Sequence, residues 1–198
     1  MYPHFRNQSQ EVHLLFDDPD CVQLSPKYFE RLHRDKTTQL PKDHQCTQFT
    51  PDMIIPPKWR NDALSCRVCK RNLVCFLSTY FLKKVQCRLG PQQRFVTAGG
   101  FDGSLKNKAL YVTSSTAQPQ PDDSLYCNAE ELDTRIWLHA VNSAGTKKLV
   151  LSRDTDVYHI GLPIVAGTDL ECVARLSIDS WIYRHLSQPS RTTPVLLQ

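Results

Sequence analysis

Asn128-Ala-Glu-Glu-Leu-Asp-Thr-Arg135 and Lys148-Leu-Val-Leu-Ser-Arg-Asp-Thr-Asp-Val157 are the two stretches from which the fold is read. The first predicts a helix start: Asn128 can accept a backbone N–H bond while Glu131, three residues on, reaches back in a capping box. Leu132, Ile136 and Ala140 then fall on one face of a helix running from Glu130 to about Asn142. The second predicts a buried strand, because Leu149, Val150 and Leu151 are apolar without alternation, followed at once by a polar turn carrying Asp154 and Asp156. Helix followed by buried strand is part of the βαβ pattern. Sheets of that kind place ligands beyond the carboxyl ends of their strands, where Asp154 and Asp156 fall.

Crowded carboxylates either shift their proton affinity or hold a cation. Hard oxygen donors suit Mg²⁺ or Mn²⁺, and such ions clamp the attacking and leaving oxygens of a phosphodiester. The competing reading makes the Asp-Thr-Asp run a solvated turn and the Glu-Glu-Leu-Asp run an acidic first turn favoured by the helix dipole.

Working outward, Glu11 to Phe16 reads as a strand closed by Asp17-Asp18-Pro19, a third acidic element end. From Pro19 to Pro57 the text is polar and interrupted by proline, which predicts a long surface excursion with a short helix at Pro26 to Arg34. A helix is expected between Trp59 and Val85, clearest from Arg71 onward, with Leu73, Phe76, Leu77, Tyr80 and Phe81 as its core stripe and Gly90-Pro91 as its stop. Arg94 to Ala98 and Ala109 to Thr113 are candidate strands around a glycine-rich turn, and Ser114 to Ser124 reads as a loop. Gly145 signals a helix end. Val157 to Leu162 is a short helix or strand, and Leu170 to Leu186 reads as two strands forming a C-terminal hairpin.

The chain has 198 residues, 40% of them hydrophobic and 22% charged, which excludes wholesale disorder and allows one domain with a sizeable core. Its net charge of +4 is unevenly placed. Lys58, Arg60, Arg67, Lys70, Arg71, Lys83, Lys84 and Arg88 face a single acid, Asp62, within their own segment. A basic segment beside an acidic cluster is what a phosphate-cutting protein needs, and it is equally what a solvated helix face looks like. No stretch approaches the roughly 18 apolar residues of a membrane span, and no signal peptide is read at the N-terminus. The eight cysteines are scattered, which predicts reduced thiols in an intracellular protein, nuclear or cytoplasmic.

Cys66-Arg-Val-Cys69 is a single CxxC pair to which His44-Gln-Cys46 could add two zinc ligands. Because Cys69 lies four residues before Leu73, in line with the apolar stripe, zinc is not expected and the pair is read as buried structural thiols. His139 and His159 are read as ordinary packed or surface histidines.

The order of an acid-terminated early strand, a long basic helical insertion, Glu-Glu-Leu-Asp at a helix start and Asp-Thr-Asp after a strand resembles the PIN-like fold, in its flap endonuclease-like branch. The resemblance covers about Glu11 to Leu162. It implies an α/β domain over 11–186, with a mostly parallel sheet flanked by helices, an insertion at about 19–90 and a tail at 187–198. It implies a divalent-metal-dependent nuclease acting on DNA or RNA, with Asp17, Glu131, Asp133, Asp154 and Asp156 as catalytic metal ligands and Mg²⁺ or Mn²⁺ as the ion. Lys58, Arg60, Arg67, Lys70, Arg71, Lys83 and Lys84 would then hold nucleic acid. The family's first strand and its C-terminal Gly-x-Asp and helix-hairpin-helix parts have no counterpart in this sequence. The expectation is therefore a fragment, in which a non-catalytic PIN-like binding domain and a zinc-stabilised interaction module are the alternatives to the enzyme.

Overall fold

The computed structural model describes residues 9–17, 29, 32–33, 48–54, 66–129, 132–145, 147–152, 154–168 and 171–175. The chain is α/β and divides between Leu132 and Asp133 into two units.

The first unit holds β1 (Glu11–Leu15), α1 (Arg67–Gln86), β2 (Arg94–Ala98), β3 (Ala109–Thr113) and β4 (Gln120–Asp122). The strands form one sheet in the order β1-β2-β3-β4. β1 runs parallel to β2, pairing Val12 with Phe95 and Leu14 with Thr97, whereas β2–β3 and β3–β4 are antiparallel. The sheet is thus mixed, and its two antiparallel pairs replace the mostly parallel arrangement the sequence suggested. Short connections explain this, since β2, β3 and β4 follow one another through turns that can only reverse the chain.

β2 is buried on both faces, which is why its sequence lacks alternation. Phe95 joins Leu82, Leu110 and Val112 under α1, while Val96 and Ala98 join Ala109 and Leu125 on the opposite face. Arg94 opens β2 and closes the sheet electrostatically. Its guanidinium donates to Glu11 at 2.9 Å and to Asp122 at 2.5 Å, and stacks 3.9 Å from the Tyr111 ring centroid. Burial would raise the Asp122 carboxyl, but hydrogen bonds from Ser124 and Arg94 outweigh it and hold its pKa below the ordinary value. Gly99 has a φ of +89°, and a side chain there would strike the Phe16 carbonyl.

The face that α1 buries differs from the stripe expected. Ser78 and Leu82 are its buried residues in the middle and last turns, with Phe81 and Val85 packed beside Leu82. Phe76 and Tyr80 instead stack on each other at 5.4 Å between centroids, with Phe49 6.3 Å from Phe76. Leu73, Phe76, Leu77 and Tyr80 are only half-buried. Apolar residues line more than one side of this helix, so periodicity could not say which side meets the sheet. β4 was missed because Pro121 sits in polar text, but a short edge strand tolerates proline.

The second unit holds α2 (Leu132–Asn142) from Asp133 onward, β5 (Lys147–Leu151), α3 (Asp156–Ala166) and β6 (Glu171–Arg175). β5 and β6 are parallel, with Lys148 opposite Cys172 and Val150 opposite Ala174. The core gathers Trp137, Ala140, Val150, Val157, Val165 and Cys172. β5 alternates, contrary to the buried-run expectation: Lys148 and Val150 face inward, while Leu149 and Leu151 are 44% and 57% exposed. One covered face requires period-two burial. Lys148 is tolerated inside because its ammonium donates to the Ser143 carbonyl and hydroxyl at 2.6 Å and to the Ala144 carbonyl at 3.0 Å. Those acceptors lie just past the end of α2, where the helix dipole favours a cation. Opposite it, burial pushes the Cys172 thiol up to about 11.

The expected hairpin keeps one strand, β6, and residues 176–186 lie outside the described residues, as does the 187–198 tail. Among the described residues no helix is long and apolar enough to cross a membrane.

Candidate metal centre

Asp133 is the second residue of α2, Asp154 lies in the β5–α3 turn, and Asp156 opens α3. All three belong to the second unit. Each offers a carboxylate oxygen, and these oxygens lie within 4.8 Å of one another.

Local chemistry explains the convergence. Ser152, just past β5, accepts the Asp154 N–H on its hydroxyl at 3.0 Å, and Asp154 Oδ1 accepts the Asp156 N–H at 3.0 Å. The Tyr158 hydroxyl donates to the Ser152 carbonyl at 3.1 Å, tying the turn to the first turn of α3. Burial raises the Tyr158 phenol, which keeps it protonated as that donor. Trp137, one turn after Asp133 and so on the same side of α2, donates its indole N–H to the Val157 carbonyl at 2.6 Å. This bond brings the start of α3 to the face of α2 that carries Asp133. Gly161 leaves room for the ring beside α3, since a side chain there would enter the indole.

Asp133 is 8% exposed, whereas Asp154 and Asp156 are exposed. Repulsion between exposed carboxylates at such distances is only about 1 kcal/mol per pair in a water-like medium. Asp133 is the one of the three that is withdrawn from solvent. Both helix starts supply partial positive charge, which stabilises acids with or without an ion. Three hard oxygen donors on one side of an open site fit Mg²⁺ or Mn²⁺, which keep several waters when bound to proteins.

The other expected residues are placed as follows. Asp17 belongs to the first unit, is exposed, and its Oδ1 accepts the Leu132 backbone N–H at 3.1 Å. Asn128, the expected cap, is exposed and precedes the helix. Glu131, Lys58 and Arg60 lie outside the described residues, as do His44 and Cys46 of the candidate zinc set. Lys70, Arg71, Lys83 and Lys84 are exposed on α1, and Arg67 is half-buried. Lys83 and Lys84 sit in the last turn, where the dipole favours them, but Arg67, Lys70 and Arg71 sit at the opposite end, where it does not. Arg71 offsets this with an ion pair to Asp102 at 3.5 Å, and Lys84 lies 5.8 Å from the Tyr80 ring centroid. His139 is buried and His159 exposed, each as expected of an ordinary histidine. Sequence reasoning missed Trp137, Ser152 and Tyr158, of which only Trp137, spaced four residues from Asp133, left a signal.

Compared with protein-family models, curated proteins and solved structures, the chain matches none.

Proposed function

We propose that the protein is a divalent-metal-dependent nuclease of PIN-like type, hydrolysing phosphodiester bonds in DNA or RNA. The observation that carries the reading is the convergence of Asp133, Asp154 and Asp156 beyond the carboxyl end of β5. These three acids would hold Mg²⁺ or Mn²⁺. The bound ion would polarise a phosphoryl oxygen and stabilise charge on the leaving oxygen. The protein's own contribution is positional: Tyr158 and Ser152 fix the turn, and the Trp137 bond fixes its distance from Asp133. Arg67, Lys70, Arg71, Lys83 and Lys84 would bind the phosphate backbone.

The test is cleavage of end-labelled single-stranded and flap substrates in Mn²⁺ by the full chain and by an Asp154→Ala/Asp156→Ala variant. Cutting that falls by at least about 100-fold in the variant supports the reading. Equal cutting by the two defeats it. The second reading is a non-catalytic domain of the same type that binds nucleic acid, favoured by the basic start of α1 that the helix dipole does not explain. It predicts salt-dependent binding without cleavage.

A further inference from the structure

We draw no further inference here: the strongest candidate, the side of α1 turned away from the sheet, where the stacked rings of Phe76 and Tyr80 lie beside the exposed Lys83 and Lys84, carries nothing because nothing in the structure shows what covers it.

Discussion

The two units handle charge in opposite ways. In the first, Arg94 is placed between Glu11 and Asp122 and against Tyr111, so opposite charges meet and the sheet is held together by them. In the second, Asp133, Asp154 and Asp156 are of one sign, and their own unit gathers them at the start of two helices. A neutralised cluster is what stability alone produces. In the second unit helix starts stabilise the acids instead, and the feature to be tested is that three carboxylates converge there.

The largest effect that sharpens this contrast should come from Asp154→Ala/Asp156→Ala. Nuclease activity should fall by two or more orders of magnitude, about 3 kcal/mol in barrier, while the fold is kept with a loss of only about 1–2 kcal/mol from the Asp154 bond to the Asp156 N–H. Activity assay and thermal melt together check it.

Packing should give the next effects. Leu82→Ala removes the side chain that joins α1 to Phe95, Leu110 and Val112, and should cost about 2–5 kcal/mol in denaturant unfolding. Trp137→Phe deletes the indole hydrogen bond to the Val157 carbonyl, for a loss of about 0.5–1.5 kcal/mol. The comparison predicts more from Trp137→Phe than a stability loss: Mn²⁺ affinity should weaken too, which Leu82→Ala should not cause.

The smallest effect concerns pH. Because the folded Asp122 pKa is depressed, its contribution is present above the unfolded carboxylate pKa and is lost as pH falls through the folded one. Wild type should therefore exceed Asp122→Asn in stability at neutral pH, and the gap should close in acid. A gap unchanged by pH would show that the Arg94 network does not work through charge.

β2 and β3 were legible to the residue, because apolar runs bounded by Gly90-Pro91 and Gly99-Gly100 leave little choice of register. β5 was legible as a strand but not in its sides, since Leu149-Val-Leu151 reads alike whether one face or both are covered. Lys148 faces inward only because the end of α2 offers it three acceptors, a long-range fact that its neighbours in sequence do not carry. In α1 an aromatic pair mimicked a core stripe, while the buried residue in mid-helix is Ser78, beside Gly100. For the site, Asp154 and Asp156 were legible as a pair at a strand end. What brings Asp133 to them is the bond from Trp137 to a backbone carbonyl, which sequence does not encode locally.

The central claim is that three like charges in the second unit exist to hold a divalent ion. Mn²⁺ titration of the full chain, read by calorimetry and electron paramagnetic resonance beside an Asp154→Asn/Asp156→Asn variant, tests it most directly. The account predicts saturable Mn²⁺ binding that the variant loses by at least about 10-fold. Wild-type protein that binds no Mn²⁺, or a variant that binds it equally well, would contradict it.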